Sequence, residues 1–480
     1  MNIIKILFRL IALNTLLFIS FPVLSQGDTP ERESFIILAG NKTTSDGSVV
    51  VAHNKGLQDT EKVFMQKRPR QKHDSTEVIR LQNGMEIPQT EISMSWMGLQ
   101  TELGRLKGDA VAINEHQVSI AGSVSLEEDR NMKARQADPL VAKGVTGSLY
   151  YIALERTRTA RECVKLIGEY YNKYGIAQTK GIAVADKKEV WYMEAGGGHH
   201  WAALKIPEDA VWVQANSYRI GHINPDDGDV MTSPGLLEFA RENDLWDPDE
   251  QLFNFADAFG RRIQKTQDRD NFSRLKIWKA ISLLDSTLRV TPDQQEYPQF
   301  VRPQQKMDMA KVLSVLRDNS GHISYNTLEN DSITRTIRPI ASSQVTHTSV
   351  VQLTNGLPSL VGAVLWAGFG NPLTTPYIPF YFGIKNVPKP YSAEASPEES
   401  AYSVYQALAE RYHQDPKKYD VHFPEVWSEF QTKCFTEQVH IDRGAMRLYQ
   451  TDSAMSRQFI TINVEALSQQ ALDLARKTLK

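Results

Sequence analysis

Ser34 is the residue of this sequence whose type and position best suit a nucleophile. It begins the run 34–42, and a second run at 46–54 follows at once, which indicates a strand, a Gly-containing turn and a second strand. A serine hydroxyl needs a base to activate it, and a serine at the start of a chain can use its own α-amino group. That amine has a pKa of about 7.7–8.0, so much of it accepts a proton near neutral pH. The pattern predicts that Ser34 attacks a carbonyl group once the bond to Glu33 is cut.

The segment before Ser34 has the features of an export signal. Lys5 and Arg9 precede an almost wholly apolar stretch that ends near Ser25, which is typical of a cleaved signal peptide at 1–25. Residues 26–33 are polar and are interpreted as a short linker or propeptide. We therefore expect a periplasmic or secreted protein. No later stretch has the ~18 apolar residues of a spanning helix, so no membrane association is expected after signal cleavage.

The composition is that of a globular protein without a nucleic-acid partner. Of 480 residues, 41% are hydrophobic and 23% are charged, and the net charge is −3. The sequence has no long run of Lys and Arg of the kind that binds nucleic acid. Cys163 and Cys434 are the two cysteines. Their spacing does not decide whether they pair, and neither lies in a motif that would make it a nucleophile.

Strand-rich and helical stretches come in blocks rather than in regular alternation. The pattern predicts strands over 34–122, a long helix at 150–174, further strands to 216 and helices at 234–288. Two strands are predicted around the Asn355-Gly356 turn, and a helix with Ser396 as its N-cap opens a mostly helical region over 391–480. This organisation favours an α+β fold with packed antiparallel sheets, formed by 34–390 with the helical region packed on it.

Several segments, weak singly, together resemble one family over about 34–384. They are 34–54, 113–118, 153–162, 197–203, 211–221, 362–366 and 370–372. The chain resembles the C69 (U34) dipeptidases, which are N-terminal nucleophile hydrolases. The resemblance implies a four-layer αββα sandwich, hydrolysis of dipeptides or other short peptides through an acyl-enzyme, and no cofactor.

The resemblance also implies roles for individual residues. Ser34 stands where the family has its catalytic cysteine. Asn216 follows a strand at the place where related hydrolases put an amide near the oxyanion. Arg274 matches an arginine that braces the amine of the nucleophile. Asn54 and Arg219 lie in matching motifs and are expected, with His347 at the start of a strand, to contact the substrate.

The sequence departs from the family pattern beside the second strand. Where the family has Arg-Asn-Glu-Asp, this chain has His53-Asn54-Lys55-Gly56, so His53 replaces the arginine and Gly56 replaces the acid. His53 could act as a polar partner or base of Ser34, or it could simply pack. Adjacent His199 and His200 are expected to point to opposite faces of a strand, so no metal site is predicted there.

Three functions remain open from the sequence. The first is an exported serine-type dipeptidase. The second is an inactive relative that binds peptides or serves as a scaffold. The third is an amide hydrolase of the same fold that acts on a non-peptide substrate such as an acylated amine. A homo-oligomer is compatible with each of them.

Overall fold

The computed structural model describes residues 33–56, 62–81, 83–101, 111–124, 129–147, 149–177, 180–249, 252–260, 268–292, 294, 296–326 and 332–480. The predicted signal peptide and all but the last residue of the predicted linker lie outside these ranges. The described chain from Glu33 to Lys480 forms one compact unit. Within it, no helix has the length and apolar character to span a membrane.

The strands, in chain order, are β1 (Ser34–Ala39), β2 (Val49–Lys55), β3 (Phe64–Arg68), β4 (Gln71–Lys72), β5 (Val78–Arg80), β6 (Glu86–Pro88), β7 (Ile92–Ser93), β8 (Trp96–Gln100), β9 (Val111–Asn114), β10 (Ser119–Val124), β11 (Lys180–Ala185), β12 (Val190–Gly197), β13 (His200–Ile206), β14 (Val211–Ala215), β15 (Val230–Thr232), β16 (His322–Asn326), β17 (Ser332–Thr336), β18 (His347–Leu353), β19 (Ala363–Gly368) and β20 (Ile378–Tyr381).

The helices are α1 (Asp129–Ala137), α2 (Leu149–Leu154), α3 (Ala160–Tyr174), α4 (Leu236–Glu242), α5 (Phe255–Phe259), α6 (Asp268–Leu284), α7 (Met309–Leu316), α8 (Ser359–Gly362), α9 (Ala401–Gln414), α10 (Pro416–Tyr449) and α11 (Ser453–Thr478). A 3₁₀ turn lies at Lys389–Tyr391.

Two antiparallel sheets form the centre of the molecule. The first sheet has the strand order β14-β1-β2-β18-β19-β20, and the second has the order β15-β13-β12-β11-β10-β9-β8-β3. They face each other, because β1 contacts β10 and β2 contacts β11. The apolar residues of β1 and β2 are almost fully buried, as expected for strands covered on both faces.

Helices cover the outer faces of both sheets. α6 packs on β14, α7 on β2 and α11 on β20, whereas α3 packs on β11, β12 and β13 of the second sheet. The predicted α+β class and four-layer αββα arrangement are therefore confirmed. The helical C-terminal stretch is also present, as α9, α10 and α11.

Two predicted helix boundaries were wrong. The long helix expected at 150–174 is split into α2 and α3, because Thr159 is an N-cap whose side chain accepts a hydrogen bond from the Glu162 N–H at 3.2 Å. The helix expected to begin after Ser396 begins at Ala401 instead, with Ser400 as its cap. In both cases the capping hydroxyl satisfies a backbone donor that has no partner within the first turn of a helix.

Candidate active site at the start of the first strand

Ser34 is the first residue of β1 and lies in the interior of the molecule. Its Oγ donates to Ser123 Oγ across the two sheets at 3.4 Å, and Ser123 in turn donates to Gln214 Oε1 at 2.5 Å. The Ser34 N–H donates to Asn216 Oδ1 at 2.7 Å. Antiparallel pairing to β2 and β14 fixes the serine so that its hydroxyl faces the second sheet.

Asn216 directly follows β14 and connects the two sides of the Glu33–Ser34 bond. Its backbone φ is +48°, in the left-handed region that asparagine adopts more readily than most residues. While Oδ1 accepts from the Ser34 N–H, Nδ2 donates to Glu33 Oε1 at 3.0 Å. The structure thus brings Asn216 next to Ser34, and its expected role as an oxyanion donor stays a prediction.

Glu33 carries a buried carboxylate that no sequence motif indicated. Besides Asn216, it contacts Lys276 Nζ at 2.6 Å, Ser342 Oγ at 3.0 Å and Arg338 Nη1 at 3.7 Å. We call these four partner residues the Glu33 cradle. Burial lowers the pKa of Lys276, and the charge of Glu33 opposes that shift.

Unlike Glu33, Lys276 stands out in the sequence, because it lies among apolar residues of a helix. It lies between buried Leu275 and Ile277 and four residues before buried Ala280, so a lysine stands on the face of α6 that turns to the core. A lysine at such a position is rare unless it is paired. Glu33 was missed because it was assigned to a segment that is removed.

Gly56 stands where the family has an acidic residue, and the structure shows that a side chain would not fit at this position. Its N–H donates to the Glu33 carbonyl at 2.8 Å. A Cβ at this position would lie 2.5 Å from the Gln344 carbonyl oxygen and 3.0 Å from the Glu33 Cβ. Glycine therefore leaves the room that the side chain of Glu33 occupies, and its amide points at the carbonyl group that Ser34 would attack.

His53 and His347 lie on the same face of the first sheet as Ser34. Ser34 pairs with Lys55, Lys55 pairs with His347, and His53 is two residues along β2 from Lys55. Both imidazoles are buried, and their rings meet edge to face with centroids 6.3 Å apart. The roles proposed for them, as partner or base of Ser34 and as a substrate contact, stay predictions.

Asn54 lies on the opposite face of the sheet from Ser34. Its Nδ2 donates to the carbonyl groups of Leu316 and Ile340 at 2.9 and 3.1 Å, and its Oδ1 accepts from Thr348 at 2.6 Å. Because neighbouring residues of a strand alternate between faces, Asn54 cannot share the face of its neighbour His53. The bonds described for Asn54 hold α7 onto β2, and its expected contact with the substrate stays a prediction.

Arg274 is placed away from the cradle by the contacts that the structure describes. Its Nη1 donates to the carbonyl groups of Pro292 and Gln294 at 2.5 and 2.6 Å and to the Tyr297 hydroxyl at 3.1 Å. Lys276, two residues further along the same helix, is the cation that reaches Glu33. The role expected for Arg274, to brace the amine of the nucleophile, stays a prediction.

Arg219 likewise stabilises the chain that follows β14. It donates to the carbonyl groups of Val213 at 3.3 Å and of Pro298, and its guanidinium lies 5.4 Å from the centre of the Trp212 ring. Burial lowers its pKa to about 10. The backbone N–H of Arg219 donates to Glu194 Oε1 at 2.6 Å. Burial raises the pKa of the Glu194 carboxyl to about 8.

His199 and His200 do not point to opposite faces of one strand, as was expected. β12 ends at Gly197 and β13 begins at His200, so His199 lies in the turn between the strands. Both rings therefore reach the Asp138 carboxylate, His199 at 2.9 Å and His200 at 3.6 Å. Among the residues that the structure describes, no group of three or more His, Cys, Asp or Glu side chains is arranged to hold a metal ion.

Both cysteines are buried free thiols. Cys163 packs in α3 against the second sheet, whereas Cys434 lies in α10, so the fold keeps them apart. Burial raises the pKa of each thiol to about 12, which keeps both sulfurs protonated and unreactive.

Comparison with known proteins identifies the family. The model of Peptidase family C69 matches residues 35–424. A probable dipeptidase of Latilactobacillus sakei is 29% identical over 407 residues, covering 82% of this chain and 84% of the relative. A probable dipeptidase of Salmonella dublin is 27% identical, with 73% and 81% covered, and dipeptidase A of Lactobacillus helveticus is 25% identical, with 75% and 77% covered.

Solved structures give weaker likenesses. A mutant of the conjugated bile acid hydrolase from Clostridium perfringens has 10% identity and a TM-score of 0.30, covering 74% of this chain and 90% of that one. An N-acylethanolamine-hydrolyzing acid amidase ortholog of Caenorhabditis elegans has 14% identity and a TM-score of 0.29, with 68% and 94% covered. The family match spans most of the sequence: the chain is a peptide hydrolase that belongs to Peptidase family C69.

Proposed function

We propose that this protein is an exported dipeptidase in which Ser34, once exposed as the first residue, is the nucleophile. The observation that carries the proposal is the pair of contacts at Ser34, with its N–H on Asn216 Oδ1 and its Oγ directed between the sheets toward Ser123. Dipeptidases among the relatives support the substrate class. The export signal predicted at 1–25 supports a periplasmic or secreted location.

The reaction begins with the hydrolysis of the Glu33–Ser34 bond, in which water gives its OH to the Glu33 carbonyl carbon and its hydrogen to the Ser34 nitrogen, so that the amide nitrogen becomes an amine. The amine takes the proton of Oγ as Oγ bonds to the substrate carbonyl carbon. The tetrahedral intermediate collapses as the C–N bond breaks, and the proton passes to the departing amino acid. Water then attacks the carbonyl carbon of the Ser34 ester, releases the N-terminal amino acid of the dipeptide and returns a proton to Oγ.

Two donors near the Glu33 carbonyl group support a site for the oxyanion of this reaction. The Gly56 N–H already points at the Glu33 carbonyl oxygen, and Asn216 Nδ2 donates one of its two hydrogens to the Glu33 carboxylate, which leaves the other for the oxyanion. One donor of this kind contributes about 10²–10³ in rate. An alanine at Asn216 would remove both this donor and the acceptor that orients the Ser34 amine.

The first experiment determines the N-terminus of the exported protein by mass spectrometry and assays it on a panel of dipeptides. We expect a chain that begins at Ser34, and a loss of hydrolysis of at least about 10³-fold in Ser34→Ala. Ser119→Ala is the matched control, because this buried serine of β10 is bonded only weakly to the Ala185 carbonyl at 3.5 Å. A Ser34→Ala variant that hydrolyses dipeptides at the wild-type rate would refute the proposal.

The inactive relative is the second candidate, and the Glu33 cradle favours it. In the uncut chain, Glu33 has four polar partners and fills the space beside Ser34. A purified protein that keeps Glu33 attached and hydrolyses no dipeptide would support this candidate.

A further inference from the structure

We infer that the Glu33 cradle is the subsite for the acyl residue of the substrate, and that the processed enzyme prefers dipeptides whose N-terminal residue is glutamate. The inference rests on the proposed function. It adds a substrate class, an acidic side chain on the carbonyl side of the scissile bond, which the membership in the family does not supply.

The cradle is a built site for a carboxylate. Asn216 and Lys276 both contact Oε1, whereas Ser342 and Arg338 are near Oε2, so each oxygen has a hydrogen-bond donor and a nearby cation. Lys276 is 1% exposed, and Ser342 is 5% exposed. Two cations and two neutral donors around one carboxylate match its charge and its lone pairs.

Removal of Glu33 leaves this site in need of an anion. Lys276 then loses the one carboxylate that the structure describes within ion-pair distance of its ammonium. A buried ammonium without a partner is strongly unfavourable, and its pKa is already lowered by burial in the intact chain. A substrate that returns a carboxylate to the cradle therefore gains binding free energy that a neutral substrate does not.

The bond chemistry connects the cradle to the acyl residue in particular. Glu33 is itself the acyl residue of the bond that must be cut to expose Ser34. Attack of Ser34 Oγ on that carbonyl would place a glutamyl ester on Oγ, with the C–N bond broken and the proton moved to nitrogen. A dipeptide that begins with glutamate gives a glutamyl ester on the same atom. The cradle that holds the side chain of Glu33 before cleavage would therefore receive the same side chain from a dipeptide that begins with glutamate.

The length of the side chain sharpens the expectation. In Glu33 two methylene groups separate the Cα from the carboxyl carbon that the cradle holds, and aspartate is shorter by one of them. Glutamine has the length of glutamate without its charge. We therefore expect the order Glu-Ala, then Asp-Ala, then Gln-Ala in kcat/KM.

The test compares the three dipeptides on the processed enzyme, with Ala-Ala as the general substrate. Glu-Ala should exceed Gln-Ala by about 10- to 100-fold, the range for a buried hydrogen bond to a charged group. Lys276→Met should bring this ratio to within about 3-fold. Lys279→Met is the matched control, since Lys279 lies one turn further along α6, is 21% exposed and faces Asp318 at 3.9 Å. It should keep the full ratio.

A second readout avoids dependence on the variant. Free glutamate, the product, should compete with Ala-Ala and raise the thermal midpoint of the processed enzyme, whereas glutamine at the same concentration should do neither. Hydrolysis of Ala-Ala with equal rates on Glu-Ala and Gln-Ala, and no effect of glutamate, would overturn the inference and leave the proposed function intact. No hydrolysis of any of the four dipeptides by a chain that begins at Ser34 would overturn both.

Discussion

The ion pair of Glu33 and Lys276 should be a measurable source of stability in the uncut chain. Ser34→Ala removes the hydroxyl that would attack the Glu33 carbonyl, and so provides a background in which Glu33 stays attached. In that background, Lys276→Met leaves a carboxylate that is fully buried. Breaking a buried pair costs about 3–5 kcal/mol. Because Asn216, Ser342 and Arg338 still contact the carboxylate, we expect the lower end, about 3 kcal/mol.

The reciprocal change is Glu33→Gln. Its cost in free energy of unfolding has an upper limit, because Lys276 can lose its proton. Lys276 can become neutral instead of staying charged without a partner, and moving from an ordinary pKa of 10.5 to pH 7 costs about 5 kcal/mol at about 1.4 kcal/mol per pH unit. The double variant removes both charges together. We expect it to cost at least about 2 kcal/mol less than the sum of the single variants.

Guanidinium unfolding at pH 7, followed by tryptophan fluorescence, measures these free energies of unfolding. Lys279→Met in the same background is the control and should cost under about 1 kcal/mol, since its ion pair is long and partly exposed. Additive single variants, or a Lys276→Met loss below about 1 kcal/mol, would refute the reasoning that Glu33 and Lys276 form a tightly held pair.

Three further predictions concern residues outside the cradle. Asn54→Ala should lower the free energy of unfolding by about 2 kcal/mol, because two hydrogen bonds to carbonyl groups are lost. A changed KM for dipeptides in this variant would instead show that Asn54 contacts the substrate. The pKa of Glu194 is raised from 4.5 to about 8, so the folded state binds the extra proton and stability falls as pH rises between these values. Glu194→Gln should flatten that part of the pH-stability curve, and an unchanged slope would contradict the assignment. Cys163 and Cys434 should react with a thiol reagent only on unfolding, both as free thiols, and one disulfide in the mass of the native protein would disprove this.

The sequence was sufficient for the architecture and for the positions of Ser34 and Asn216 on the first sheet. Period-2 apolar runs separated by glycine turns predict strands wherever they occur, and motifs in a fixed order carry the family. Ser34 begins a strand and Asn216 directly follows one, so their positions follow from local sequence. Helix boundaries such as Thr159 and Ser400 were less predictable, because several hydroxyl residues compete for each cap.

The sequence by itself determined the family, the strand that carries Ser34 and the asparagine that directly follows a strand beside it. Only the tertiary structure decided which polar and charged groups surround Ser34 and Asn216. Glu33, Lys276 and Ser342 are up to 309 positions apart in the sequence. Side-chain contacts of that kind depend on how α6 and the loop before β18 pack around the end of the first sheet. The same packing turned Arg274, Asn54 and Arg219 toward backbone carbonyl groups. The local pattern places Lys276 on the core-facing side of α6, but the carboxylate that pairs with it is decided by how the layers assemble.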